Sequence, residues 1–203
     1  MIYSVRGKLI HKESDLAVVE CGGVGYACRT TLSTIASLEE TGSEVMLYTY
    51  LHVREDNVEL FGFSSGQELN CFRMLISVSG VGPKAALAIL SDFNPEKFAL
   101  LVASDDSKTL TKTKGIGAKT AQRIVLELKD KIVKENINLA EAGGSIVTAS
   151  SESSAIGEAF SALLVLGYTQ SEIAPVISSL DPELESSELI RQALKIMAQK
   201  SNR

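Results

Sequence analysis

The stretches Ser79-Gly80-Val81-Gly82-Pro83-Lys84 and Lys114-Gly115-Ile116-Gly117-Ala118-Lys119 are two copies of one pattern. At an offset of 35 residues, Gly80 and Gly82 fall on Gly115 and Gly117, Lys84 on Lys119, Ala86 on Ala121, and Ile89-Leu90 on Ile124-Val125. Such agreement marks an internal duplication. Apolar-periodic segments bracket each copy: Phe72 to Val78 and Ala85 to Leu90 around the first, Leu110 to Thr113 and Thr120 to Leu128 around the second. That reads as helix, tight turn, helix, twice.

Glycine lets the backbone turn with positive φ and approach a partner, and Pro83 suits the first turn of the following helix, where its missing N–H costs little. The free N–H groups of a helix N-terminus, its dipole and a nearby lysine form a site for a phosphate oxygen pair, with no demand on base sequence. The candidate phosphate-contacting residues are Gly80, Val81, Gly82 and Lys84 in the first copy, and Lys114, Gly115, Ile116, Gly117, Lys119 and Arg123 in the second. An ordinary αα-hairpin turn accounts for a single Gly-x-Gly; duplication favours a shared task. The dinucleotide fingerprint needs a preceding strand, and the phosphate-binding loop of ATPases needs Gly directly before Lys-Thr, where this chain has Ala118. No nucleotide site and no cofactor is expected.

Charge is divided along the chain. Residues 1–63 carry 5 basic and 9 acidic side chains, residues 64–142 carry 11 and 9, and residues 143–203 carry 4 and 7. Only the middle third is basic, and residues 104–134, with 8 basic against 4 acidic, concentrate that charge around the second copy, as phosphate binding requires. Three widely spread cysteines (Cys21, Cys28, Cys71) and two histidines (His11, His52) give neither a metal constellation nor a disulfide framework. The N-terminus has no charged segment followed by an apolar run, and no stretch approaches the roughly 20 apolar residues of a membrane span. A cytoplasmic protein with reduced thiols is expected.

The first 63 residues alternate and turn like a small β domain. Leu16 to Cys21 alternates, Gly22-Gly23 signals a turn, and Val24 to Thr30 returns. Leu32 to Leu38 reads as a short helix, Val45 to Val53 as the longest strand and Val58 to Phe63 as its partner. Five strands with an interposed helix predict an OB-fold barrel. Arg54-Glu55-Asp56-Asn57 joins the last two strands, and its residues suit a solvated hairpin tip.

Ser64-Ser65-Gly66 marks a boundary. Beyond it the helices are expected at Gln67 to Val78, Lys84 to Asp92, Pro95 to Ser104, Asp106 or Ser107 to Thr113, and Lys119 to Lys134, with Asn94 as an N-cap. Residues 143–155, rich in Gly, Ser and Ala, read as a flexible linker. Residues 156–203 read as three helices, Ile156 to Leu166, Gln170 to Leu180 and Ser187 to Ala198, with Gly167 as a C-cap and Thr169 and Glu172 as a capping box; Pro175 fits the second of them poorly. The class is α+β and multidomain: a barrel domain (1–63), an all-α tandem hairpin domain (64–142), the linker (143–155) and a three-helix domain (156–203).

The spacing apolar-x-x-apolar-x-Gly-apolar-Gly-x-x-x-Ala-x-x-apolar-apolar, complete from Leu75 to Leu90 and departing only at Thr113 in the second copy, resembles the helix-hairpin-helix DNA-binding motif. With the flanking domains, essentially the whole chain resembles the RuvA family, whose members bind four-way (Holliday) junctions. The resemblance implies a homotetramer with one subunit per junction arm, two tetramers in some complexes, and a hexameric branch-migration ATPase as partner, with a junction resolvase as a further one. It also implies that Glu55 and Asp56 form an acidic pin, and that Leu163, Leu166, Tyr168 and Leu194 contact the ATPase subunit. The expected protein is non-catalytic. The first rival is a repair glycosylase or nuclease, for which Asp105-Asp106 and Asp130 are the available carboxylates; the second is a protein-interaction scaffold.

Overall fold

The computed structural model describes residues 1–141 and 155–201. The N-terminal strands are β1 (Ser4–Lys12), β2 (Leu16–Cys21), β3 (Val24–Arg29), β4 (Glu44–Val53) and β5 (Val58–Phe63), with helix α1 (Leu32–Ser37) between β3 and β4. They close into a barrel in the order β1-β2-β3-β5-β4. All pairings are antiparallel except β3 with β5, where Cys28 faces Leu60 and Arg29 faces Phe61. Val5, Leu9, Val19, Val45, Leu47 and Leu60 fill the interior. Four of these strands, β2 to β5, lie where alternation, the Gly22-Gly23 turn and the return of Val58 to Phe63 predict them. The fifth, β1, has a bulge between Leu9 and His11 that breaks the period, and Gly7 among its inward positions.

Strand β5 is buried on both faces from Leu60 to Phe63, while Val58 at its start is exposed. Gly62 faces inward, where a Cβ would sit 2.9 Å from Cys28 Cβ. Phe61 and Phe63 instead meet Phe72, at ring separations of 5.1 and 4.9 Å, and Tyr50 of β4 adds an edge contact at 5.7 Å. Phe72 belongs to α2 (Gly66–Ile76), so the barrel wall and the helical part share one aromatic seam.

A polar joint lies nearby. The Glu68 carboxylate, 2 % exposed, accepts hydrogen bonds from the hydroxyls of Thr31 and, at 2.6 Å, Thr34, which flank the start of α1. Thr34 Oγ1 in turn accepts from the Ser64 N–H, and the Ser65 hydroxyl caps α2 by accepting from the Glu68 N–H. With no cation beside it among the described residues, this buried carboxylate is tolerated because hydroxyls donate to both of its oxygens.

The middle helices continue with α3 (Pro83–Asp92), α4 (Pro95–Ala103), α5 (Ser107–Leu110) and α6 (Ala118–Glu141). Asn94 caps α4 as expected, accepting from the Lys97 N–H at 2.9 Å. Helix α5 stops at Leu110 rather than Thr113, because Thr111, Lys112 and Thr113 close tighter i to i+3 bonds that lead into the hairpin. Helix α6 runs past Lys134 to Glu141 through residues that include no Gly or Pro.

Residues 142–154, nearly all of the expected linker, lie outside the described residues; Ala155, assigned to that linker, opens α7 (Ala155–Val165). Then come α8 (Gln170–Ile177) and α9 (Ser186–Ser201). Gly167, at φ 88°, ends α7 as the expected C-cap, and Thr169 opens α8 with its N–H donating to Glu172 Oε2 at 2.8 Å. Helix α8 accommodates Pro175, whose missing N–H removes one bond from a single short helix.

The three C-terminal helices do not stand apart. Helix α7 packs on α4, α6 and α2, α9 touches α4, and one continuous core runs through both parts. The α7–α8 turn is clamped by α2: Asn70 Nδ2 donates to the Leu166 carbonyl at 3.1 Å and Gln67 Nε2 to the Tyr168 hydroxyl at 2.8 Å. A Cβ on Gly167 would lie 2.6 Å from Asn70 Nδ2, so this close approach needs glycine. Leu163 and Leu166 are 0 % and 1 % exposed and Leu194 8 %; they pack inside the chain, and Tyr168 alone of the four is half-exposed.

Candidate nucleic-acid interface

The two glycine stretches form turns with matching geometry. Val81 N–H bonds the Val78 carbonyl and Ile116 N–H the Thr113 carbonyl, each at 3.1 Å, while Gly80 and Gly115 take φ of 86° and 87°. Only glycine holds that conformation without strain. The second glycine of each pair is different. Gly82 has φ −90° and ψ 171°, extended backbone open to any residue, and a Cβ at Gly82 or Gly117 would meet nothing within 4 Å. Neither backbone strain nor close packing calls for glycine there; Gly82 serves α3 as its N-cap, and the missing side chains leave both helix starts open to approach from outside.

Gly82 caps α3 with no side-chain bond, and Gly117 precedes α6; their carbonyls accept from Ala86 and Ala121 at 3.0 and 2.9 Å. The first-turn N–H groups of both helices therefore face outward with no intrahelical acceptor. Val81 and Ile116, each 5 % exposed, anchor the hairpins in the core, so any contact they make is through backbone. Lys84, Lys114 and Lys119 are exposed, and none is held by an ion pair among the described residues. Two helix starts with unused donors and free ammonium groups suit anionic oxygens.

Arg123 is placed differently from the lysines. Its Nη1 donates to the Ser79 carbonyl at 3.2 Å and its Nε lies 3.5 Å from Glu127, so it braces the first hairpin as well as lying beside the second. Thr113, where the second copy departs from the apolar pattern, is 2 % exposed and donates its hydroxyl to Asp92 Oδ2 at 2.6 Å. The side chain occupies the apolar slot and its oxygen finds a partner across the pair of hairpins.

Glu55 and Asp56 lie exposed at the β4–β5 tip, closed by the Arg54 N–H bonding the Asn57 carbonyl at 2.8 Å. Val53 and Val58, 65 % and 64 % exposed, flank the tip, and Arg54 Nε donates to His52 Nε2 at 2.9 Å. Apolar side chains so placed were not singled out from the sequence, where their alternation reads as ordinary strand.

Two of the three carboxylates named for a nuclease, Asp105 and Asp106, have partners within the fold. Asp106 caps α5, and the Thr109 hydroxyl and N–H that it accepts from hold its carboxyl below the ordinary aspartate range. Asp105, at φ 61°, lies 3.4 Å from Lys129; the Asp130 side chain lies outside those described. Among the described residues no cluster of three or more His, Cys, Asp or Glu side chains is arranged to hold a metal ion. Burial pushes the Cys28 thiol up to about 12 and raises Cys71 as well, so neither offers a thiolate. Among the described residues no helix is long and apolar enough to cross a membrane.

A closed five-stranded barrel carrying an exposed acidic tip, joined to a duplicated Gly-x-Gly hairpin pair, defines the class: a barrel-plus-tandem helix-hairpin-helix protein. Family models match in register with this division: the RuvA N terminal domain over residues 1–62, the SAM-like Helix-hairpin-helix tandem over 72–130, and the RuvA C-terminal domain over 154–198. The chain is 50% identical over 202 residues to the Holliday junction branch migration complex subunit RuvA of Acetivibrio thermocellus, covering 98% of this chain and 99% of that one. It is 43% identical to the protein of that name in Halorhodospira halophila, over 96% of this chain and 97% of the other, and 40% identical to the one in Clostridium botulinum strain Hall, over 95% and 97%. The chain belongs to the RuvA family.

Proposed function

We propose that this protein binds four-way junction DNA by shape and recruits an ATP-driven motor for branch migration, without catalysing a reaction or holding a cofactor itself. The observation that carries the reading is the pair of equivalently built hairpins, each with a second glycine that leaves its helix start open and a lysine with no ion pair among the described residues. Such a pair grips phosphates without reading bases. Similarity over nearly the full length to subunits named for Holliday junction branch migration supports the same reading.

In the proposed assembly four copies meet around the junction, one per arm, with a second tetramer enclosing it in some complexes; the setting is the cytoplasm. The Glu55 and Asp56 tips converge at the crossover, where eight carboxylates repel phosphates and select strands that diverge. The C-terminal helices recruit a hexameric ATPase, and a junction resolvase shares the DNA. Leu163, Leu166 and Leu194 are covered as the chain stands, so recruitment through them requires α7 and α9 to leave α2 and α4; the Tyr168 edge is the accessible part.

The test is a gel shift on a four-way junction against linear duplex of equal length, with mass measured in solution. Strong junction preference and a particle near four times the 21.7 kDa chain are expected. A monomer binding both DNAs equally overturns the reading. Magnesium-dependent cleavage of either DNA would favour the repair enzyme, and absence of salt-dependent DNA affinity would favour the scaffold.

A further inference from the structure

The 35-residue offset that overlays the hairpins also overlays Asp92, the last residue of α3, on Glu127, within α6. Each of these carboxylates reaches the other motif's turn. Asp92 of α3 accepts from the Thr113 hydroxyl at 2.6 Å, and Thr113 is the residue whose carbonyl closes the second hairpin. Glu127 of α6 accepts from the Ser79 N–H at 3.4 Å, inside the first hairpin, while its neighbour Arg123 donates to the Ser79 carbonyl. The contacts are crossed and reciprocal.

We propose that Asp92 and Glu127 are positioning residues that hold the two hairpins at one separation and orientation, so that both engage the backbone of a single DNA arm together. The proposal rests on the reading of the hairpins as phosphate grips. Three features carry it beyond packing. Val78 fills the slot equivalent to Thr113, so an apolar residue suits that slot and the hydroxyl is there for its bond. The bond from Thr113 is short and ends on a carboxylate, the stronger kind of hydrogen bond, whereas the Glu127 contacts are longer; the second hairpin is the more firmly braced. Finally, Asp92 is exposed at the C-terminal end of α3, where a negative charge opposes the helix dipole, and its contact with Thr113 puts that charge beside a hairpin read as a phosphate grip. On electrostatics alone it is misplaced twice.

That misplacement gives the test its sign. Removing the charge by Asp92→Ala should, by charge alone, tighten DNA binding. If the carboxylate is a brace, the variant binds junction DNA about tenfold more weakly, because two linked contacts lose their fixed geometry. Its log–log salt slope also falls, since fewer phosphates are neutralised at once. Thr113→Val should match it with little change in thermal midpoint, and Thr113→Ser, which restores the hydroxyl, should recover affinity and slope. Amide hydrogen exchange at Gly115 to Gly117 should rise in Asp92→Ala without DNA present. Tighter or unchanged binding by folded Asp92→Ala, with unchanged exchange, overturns the brace. Should Thr113→Val fail to fold, Asp92→Ala alone decides. A wild-type protein without salt-dependent junction binding would instead overturn the phosphate-grip reading, and hydrogen exchange would still decide whether the brace exists.

Discussion

The four hairpin glycines separate what the fold requires from what a partner requires. Replacing Gly115 by alanine puts a side chain at φ 87°, while its Cβ meets nothing within 4 Å, so the cost is conformational alone. A left-handed alanine costs about 1–2 kcal/mol, which for a chain of this size lowers the thermal midpoint by about 2–8 °C. Gly80→Ala behaves alike, since its Cβ comes no nearer than 3.9 Å to Arg123 Nη1. Gly82→Ala is different. Restricting the unfolded chain stabilises by about 0.4–1 kcal/mol, and alanine's poorer service as an N-cap offsets a similar amount, leaving the midpoint nearly unchanged. Gly117→Ala should do the same. A methyl group at either place nonetheless stands where a phosphate must approach the first-turn N–H groups. Loss of one charge-assisted hydrogen bond, about 1.5–3 kcal/mol, weakens binding by one to two orders of magnitude. Differential scanning fluorimetry and fluorescence anisotropy on a labelled junction, at one salt concentration, measure the two effects on the same samples. Gly80→Ala and Gly115→Ala should move both readouts, Gly82→Ala and Gly117→Ala the second alone. If the latter pair bind like wild type, or lose as much stability as the former, the reasoning fails.

Lys119→Ala should lower the log–log salt slope by about 0.9 per phosphate released and weaken all sequences alike; a sequence-dependent change in titrations from low to high salt would refute backbone binding. Replacing Glu55 by Gln and Asp56 by Asn keeps the turn and removes the charge, so linear duplex should bind more tightly while the junction gains less; an unchanged affinity ratio makes both ordinary turn residues. Leu163→Ala, at a fully buried site, should cost about 2–5 kcal/mol by chemical denaturation, whereas a solvent-facing partner residue would cost almost nothing. Asp106, held below its usual range by its bonds to Thr109, contributes stability present above the unfolded aspartate pKa and lost as pH falls through the lowered folded value; Asp106→Asn should flatten that acid limb in circular dichroism melts.

Much of this was legible because local rules and global fold agree. The glycine offset, the Asn94 cap, the Thr169 and Glu172 box and the alternation of β4 each rest on a few neighbouring residues, and each appears where expected. What escaped depends on residues far apart. Strand β1 hid behind a bulge, and Leu163 and Leu166 are buried because α7 packs into a core shared with α4, α6 and α2, elements far earlier in the chain. An apolar helix face looks the same in sequence whether its own chain or another covers it. Thr113 read as a flaw in a repeat, because its partner Asp92 lies in the other copy.

Glu68 belongs to the same class of hidden residue, and it bears on how the acidic tip and the hairpins cooperate. The tip stands on β4 and β5; the hairpins stand on α2, α3 and α6. A repulsive centre can select a junction only if its distance from the gripping lysines is fixed, since a tip free to swing away would let continuous duplex lie across the face. Several contacts fix it, among them the aromatic seam around Phe72, which resists separation but tolerates sliding, and the directional bonds of the Glu68 carboxylate to Thr31 and Thr34 and of the Leu32 N–H to Ser91 Oγ, which resist sliding. Apolar packing alone would have left the angle between the two parts softer. A carboxylate buried with no cation among the described residues is a costly way to join two domains on stability grounds, and under the proposed function the angle it sets between the barrel and the hairpins is where precision has the most effect.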